Sequence, residues 1–403
     1  MILTEMFASR TERMKASEIR ELLKLLEKPG VISFAGGIPD PSLFPKDAFR
    51  RATETALADG AVDKNLQYSA SEGHAGLRAW LAKHMQALGV PATPENILIT
   101  SGSQQALDYL GKLFLSAGDT ALVGWPTYLG ALGAFNAYEP RFERLETGDN
   151  RSVAELLEAA KGAGGQAKFA YVTPDFANPT GVTMTKAERR ALLARAEALD
   201  VAIIEDAAYQ ALRYAGEDVP PVLALECAEK GGLEGCRTVY CGSFSKTLSP
   251  GLRVGWVCAD KPVVDKLVLI KQASDLHSPT LNQAIIAEVA QEVFATHVPR
   301  LREAYDARMK AMLAALEQHM PEGVTWTKPE GGMFVWLTLP KGANAAALLE
   351  RALAEENIAF VPGAAFFADG SGENTLRLNF SMPNEDEISQ GVERLARVLK
   401  SAL

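Results

Sequence analysis

The stretch SFSKTLSPGLRVGWV, residues 243–257, sets one lysine between two serines and an arginine seven residues further on. A lysine is a poor nucleophile until desolvation or a neighbouring cation lowers its pKa; it then attacks a carbonyl and joins it as a Schiff base. Two hydroxyls and a fixed guanidinium are the donor set for a phosphate dianion. Ser243, Ser245, Lys246 and Arg253 therefore have the chemistry to hold a phosphorylated aldehyde. For Lys246 alone, an ordinary solvated surface lysine is the competing reading. The runs on either side, TVYCG and VGWVCA, are short, β-branched and aromatic-rich. They read as buried strands, with the polar insert a loop at a sheet end.

The elements that must position this loop lie upstream. ENILIT, TALVGW, KFAYVT and VAIIED alternate with helical stretches such as SQQALDYLGKLFL, a segment near TYLGALGAF, and TKAERRALLARAEAL. The pattern predicts an α/β fold with a mostly parallel sheet between helices. Such sheets bind ligands at the carboxyl ends of their strands, so the residues that follow each strand matter. After ENILIT come Ser103 and Gln104 of SGSQQ, at a helix N-terminus that favours a phosphate or is simply capped by Ser101 or Ser103. After TALVGW comes Tyr128, a rim aromatic or core packing. After KFAYVT comes Asn178 of NPTG, an amide fixed by a rigid turn or turn chemistry alone. After VAIIE comes Asp206, with Tyr209 three residues on. A carboxylate closing an apolar strand must be paired, hydrogen-bonded, or used as a helix cap.

Together these residues describe one ligand. A phosphate sits at SGSQQ and Arg253, a ring stacks on Tyr128, a ring nitrogen faces Asp206, Asn178 and Tyr209 meet a ring oxygen, and Lys246 takes an aldehyde. That ligand is pyridoxal 5′-phosphate. Asp206 would keep the ring nitrogen protonated, and Lys246, displaced by an amine substrate, would be the base at its α-carbon.

Across essentially its full length the sequence resembles the fold-type-I aminotransferases of class I/II, on SGSQQ, PTY, NPTG, EDAAY, SFSKTLSPGLRVG and LRLNF in that order. FAGGIPDPSLFP, SEIRELL and SDLHSPTLNQ make it most similar to the branch that holds 2-aminoadipate aminotransferases and kynurenine aminotransferase II. The resemblance implies the cofactor roles above, Arg377 as bidentate partner of the substrate α-carboxylate, and Gly37 as a backbone donor to the same group. It implies that Tyr68 reaches the phosphate of a neighbouring subunit, hence a homodimer with shared sites. Arg20 is implied to meet the side-chain carboxylate of glutamate or 2-aminoadipate, with a plain surface arginine as the alternative. EDAAY departs from relatives by carrying Ala207 and Ala208, which bears on pocket shape. The implied reaction passes the amino group of an aromatic, 2-aminoadipate or branched-chain L-amino acid to a 2-oxo acid, 2-oxoglutarate foremost, by a ping-pong route. A lyase using the same cofactor for β-elimination is the alternative.

At 403 residues the chain is too long for one core. The expected division is an N-terminal arm (1–45) packed on a small α+β domain (296–403), with a large cofactor-binding domain (46–295) between. The small domain is read from GMFVWLTL, ANAAALLERALAEEN, IAFV, TLRLNF and EDEISQGVERLARVL. A net charge of −9 argues against a nucleic-acid or anionic-membrane surface as the main partner. A regulatory protein that only senses the cofactor would need a DNA-binding segment, and residues 1–45 lack the length and basic charge for one. The start has no signal-like apolar segment and no run is long enough to span a bilayer, so a cytoplasmic location is expected. The four cysteines lack C-x-x-C spacing and the five histidines are scattered, which points to free thiols and to no metal site.

Overall fold

The computed structural model describes residues 3–14, 30–145 and 152–402. Seven strands carry the site: β1 (Ile97–Thr100), β2 (Thr120–Val123), β3 (Arg141–Arg144), β4 (Ala167–Val172), β5 (Ala202–Asp206), β6 (Thr238–Ser243) and β7 (Gly255–Cys258). They form one sheet in the order β1-β7-β6-β5-β4-β2-β3. β7 runs antiparallel to both its neighbours and every other pairing is parallel. Alternate residues feed two cores: Leu98, Val239 and Cys241 face one, Ile97, Ile99 and Tyr240 the other. With both faces covered, the strands are mainly apolar along their length. The exception is β3, whose RFER sequence is charged and partly exposed at the sheet edge. Edge strands carry charge that blocks further pairing, and that charge hid β3 from sequence reading.

The helices that matter to the site are α1 (Ser103–Phe114), α2 (Leu129–Asn136), α3 (Lys186–Leu199), α4 (Val222–Lys230), α5 (Lys261–Gln272) and α6 (Thr280–His319). α3 begins at a reciprocal cap, in which Thr185 and Glu188 each bond the other's backbone N–H. α6 is one helix of 40 residues with Pro299 inside it. The change of pattern expected near residue 295 lies within this helix, not at a loop. Its first half, through Ile286 and Val289, packs with Phe244 and Trp256. Its second half, through Leu301, Tyr305 and Met312, packs with Phe334, Leu376 and Leu395.

That second core lies under a four-stranded sheet in which Thr375–Asn379 pairs with Val361–Pro362 and Phe334–Thr338. The run IAFV is split: Ile358–Ala359 leaves this sheet to pair in parallel with Ile32–Ser33. Phe34 enters the same core, so the segment before residue 45 docks there. The helix expected at SEIRELLKLLEK lies outside the described residues.

One ion cluster fixes the chain just past β4. Arg189 of α3, with no exposed surface, donates to Asp175 at 2.7 Å and to the carbonyls of Met184, Pro174 and Pro220. Arg213 adds an ion pair to Glu330 at 2.9 Å and lies 4.8 Å over the Phe176 ring. A buried charge left without its partner is costly, so the cluster holds the turn that leads to Asn178. Arg189→Met is expected to lower stability in urea by about 3 kcal/mol or more. A loss below about 1 kcal/mol would show that Arg213 alone suffices for Asp175.

Candidate active site

A cavity of about 270 Å³ opens at the carboxyl ends of β4, β5 and β6. Ser103 and Gln104 reach it from the start of α1, Tyr128 from the residue before α2, and Asn178 from the turn past β4. Asp206 ends β5 with Tyr209 beyond it; Ser243 ends β6, followed by Ser245, Lys246 and Arg253. Gly37 and Arg377 close the opposite wall, from the segments that pack with the C-terminal core.

At one end the backbone forms a cradle. The residue that caps α1 is Gly102, at φ +81°, and no side chain caps the helix, so neither Ser101 nor Ser103 fills that role. The first amides of a helix lack intrahelical acceptors, which leaves those of Ser103 and Gln104 for an anion. Arg253, itself at φ +53°, presses on this turn. A Cβ on Gly102 would lie 2.3 Å from the Arg253 Nη2, and one on Gly255 would lie 2.7 Å from the Ser103 nitrogen. Nothing larger than glycine fits either position. Ser243 Oγ donates to Ser245 Oγ at 2.9 Å and accepts the Ser245 N–H at 3.1 Å. Gln104 Nε2 donates to the Gly130 carbonyl at 2.7 Å, tying α1 to α2.

At the other end lie the charges. Lys246 Nζ donates to the Gly37 carbonyl at 2.7 Å. Burial, then the Arg377 and Arg253 cations, bring its pKa down to about 8 from the ordinary 10.5, against the pull of Asp206. Asp206 is pushed up to about 6 by burial, opposed by hydrogen bonds from the Tyr171 hydroxyl and the Ala208 backbone. Tyr171 donates to Asp206 Oδ2 at 2.8 Å. Arg377 donates to Asn178 Oδ1 at 2.7 Å and to the carbonyls of Ala35 and Gly36. Its guanidinium stands 4.3 Å over the Phe334 ring and 5.1 Å from that of Phe366. Asn178 also bonds Tyr209, whose hydroxyl is pushed up by burial; burial raises Tyr128 to about 12.

Two buried polar atoms in this wall, Asp206 Oδ1 and Arg377 Nε, have no hydrogen-bond partner. Such atoms are costly unless a ligand meets them. The amide cradle with its hydroxyls and arginine suits a phosphate, Asp206 Oδ1 suits a protonated ring nitrogen, and Lys246 suits an aldehyde. The residues fit pyridoxal 5′-phosphate.

The family model of aminotransferase class I and II matches residues 36–395. The chain belongs to that family. This pyridoxal-phosphate-dependent aminotransferase has the fold-type-I architecture. It is 45% identical to the 2-aminoadipate transaminase of Thermus thermophilus over 400 residues, 99% of this chain and 98% of the relative. It is 43% identical over 403 residues to aromatic-amino-acid aminotransferase 1 of Thermococcus litoralis, covering 98% of this chain and 94% of that one. The crystal structure of the α-aminoadipate aminotransferase of Thermus thermophilus, complexed with N-(5′-phosphopyridoxyl)-L-leucine, superposes with a TM-score of 0.88 at 42% identity. That match covers 100% of this chain and 99% of the other.

Tyr68, expected at a neighbouring subunit's phosphate, does not line the cavity of its own chain. Tyr68 is 79% exposed and packs edge-on against His277. Arg20 lies outside the described residues. Sequence reading missed Tyr171, Thr173, Ile38 and Pro250, of which Tyr171 bonds Asp206 and the others line the cavity, as does Ala208 of EDAAY. A signal for Tyr171 existed: it pairs with Ile204, which shares a strand face with Asp206, and a tyrosine in an apolar strand needs a partner for its hydroxyl. Since only the neutral amine attacks an aldehyde, the rate at which cofactor-stripped protein captures pyridoxal 5′-phosphate is expected to rise with pH and level off above about 8. A rise that continues towards 10.5 would show that Lys246 is solvated.

Proposed function

We propose that this aminotransferase passes the amino group of an aromatic, 2-aminoadipate or branched-chain L-amino acid to a 2-oxo acid, 2-oxoglutarate foremost, in two half-reactions that alternate on one site. The observation that carries the reading is a desolvated lysine sharing one cavity with a buried arginine whose Nε is unpartnered. The named relatives support the donor classes: one acts on 2-aminoadipate, one on aromatic amino acids, and one was solved with a phosphopyridoxyl-leucine. Ile38, half-exposed on the cavity wall, suits apolar side chains. Arg20 is proposed to meet acidic ones.

Ser103, Gln104, Ser243, Ser245 and Arg253 would hold the cofactor phosphate, Tyr128 the ring face, Asn178 and Tyr209 the ring oxygen, and Asp206 the ring nitrogen. When bound, pyridoxal 5′-phosphate supplies a protonated ring that accepts the electron pair left at the substrate α-carbon. Lys246, which would carry the aldehyde carbon between turnovers, takes the α-proton on Nζ once an amino acid has displaced it; a pKa near 8 suits both giving and taking that proton. Arg377 grips the α-carboxylate with its planar fork, assisted by the Gly37 backbone. Asn178 bonds both Arg377 and Tyr209, so substrate carboxylate and cofactor oxygen are held in one register. Residues 46–295 form the cofactor-binding domain in this reading, and 296–403 with the N-terminal arm form the small domain.

A homodimer and a cytoplasmic location belong to the same proposal. Tyr68, with Leu66 at 67% and Leu276 at 44% exposure, gives an exposed aromatic and aliphatic surface suited to a second copy. Four buried free cysteines suit a reducing compartment. No described helix is long and apolar enough to cross a membrane.

The test is a half-reaction with single amino acids and no acceptor. The yellow absorbance of the bound cofactor is expected to bleach with 2-aminoadipate, aromatic or branched-chain donors, and to return on addition of 2-oxoglutarate. Steady release of ammonia without that bleaching would mean elimination chemistry. Sedimentation of the intact protein is expected to show a dimer, and Tyr68→Phe to weaken cofactor binding by about threefold to tenfold, the worth of one hydrogen bond. A monomer, or an unchanged affinity, would remove Tyr68 from the site.

A further inference from the structure

Behind the cradle lies a second cation that touches neither cavity nor solvent. Lys271, near the end of α5, has a side chain with no exposed surface. Its Nζ donates to Gln105 Oε1, to both oxygens of Asp275 and to Ser278 Oγ, each at 3.0 Å. Asp275 also accepts from Gln105 Nε2 at 2.8 Å and from the Tyr109 hydroxyl at 3.2 Å. Gln105 Oε1, in turn, accepts the backbone N–H of Ser101 at 2.8 Å, and Ser278 Oγ lies 3.2 Å from Ser101 Oγ. Lys271 thus holds Ser101 by both routes, its main chain through Gln105 and its hydroxyl through Ser278.

Ser101 is the residue before Gly102, where the chain turns into α1. With the Ser101 N–H committed to Gln105, the Gly102 N–H to the Thr100 carbonyl and the Gln105 N–H to the Gly102 carbonyl, the amides left are those of Ser103 and Gln104. Their direction depends on how firmly the turn is held. A fully desolvated ammonium is a costly way to pack α5 against α1, where an aliphatic side chain would serve, unless its fixed donors do something packing does not.

We infer that Lys271, acting through Gln105 and Ser278, is a positioning residue for the cofactor phosphate, holding the Ser101–Gly102 turn so that the Ser103 and Gln104 amides point into the cavity. The inference rests on the reading of that turn as the phosphate cradle. It separates from a merely structural role because only the phosphate-dependent part of binding should respond.

The experiment titrates cofactor-stripped full-length protein with pyridoxal 5′-phosphate and, separately, with pyridoxal, which has the aldehyde and ring but no phosphate. Quenching of tryptophan fluorescence reads both. Wild type is expected to prefer the phosphorylated form strongly. Lys271→Met is expected to lose about tenfold or more in affinity for pyridoxal 5′-phosphate while its affinity for pyridoxal changes by less than about twofold. Ser278→Ala, which removes only hydroxyl contacts, is expected to shift the same ratio by about threefold, and it decides the matter if Lys271→Met does not fold. Parallel losses for both ligands, or an unchanged ratio, would overturn the positioning role. A wild type that binds the two equally would overturn the cradle itself, and the inference with it.

Discussion

Three cations, Lys246, Arg253 and Arg377, share one small cavity with a single carboxylate, Asp206; Arg377 and Asp206 are buried and Lys246 is partly so. Burial disfavours the charges of Lys246, Arg377 and Asp206, and hydrogen bonds to backbone carbonyls for the two cations, and from Tyr171 for the carboxylate, offset part of the cost. The excess of positive charge then has two consequences. It lowers the lysine pKa, and it leaves a cavity matched to a phosphate and a carboxylate in a protein whose overall charge is −9. The acidic surface and the basic interior are not in conflict, because the field that matters to a bound anion is the unscreened one inside.

Much of the remaining structure holds these groups still. The sheet brings Asp206 and Cys241 into register on adjacent strands, so the loop after β6 opens beside the Asp206 carboxylate. The Arg189–Asp175 pair fixes the chain ahead of Asn178, and Lys271 fixes the turn ahead of Ser103. In both cases a buried cation sits one layer behind a residue of the cavity and grips main-chain or amide groups. Such groups have one good geometry, whereas apolar packing tolerates small slips.

Sequence reading reached the cavity residues because their types are at odds with their setting. Asp206 ends an apolar strand and Lys246 interrupts a run of strand, loop and strand, so each demanded a polar explanation. Tyr171 made a weaker demand, since an aromatic inside a buried strand passes for ordinary core until its hydroxyl is asked for. Lys271 was silent: a lysine in an amphipathic helix is read as solvated, and its burial arises from Asp275 and Ser278, which lie past the end of that helix. The β3 strand was hidden by its charge, and IAFV was split because its two halves serve different sheets. Tyr68 stands apart from all of these: it lies on the surface, away from its own cavity.

The unbroken helix α6 also sets how the two cores can move. At 40 residues it is a rod of about 60 Å, anchored along its first half in one core and along its second half in the other. A rod of this kind resists shear and twist, so the cores cannot swing as bodies on a tether would. Its compliance is concentrated at one notch, where Pro299 has no N–H to offer the Ala295 carbonyl. The helix joins the core beneath the Arg377 strand to the core beside Lys246 along one continuous backbone.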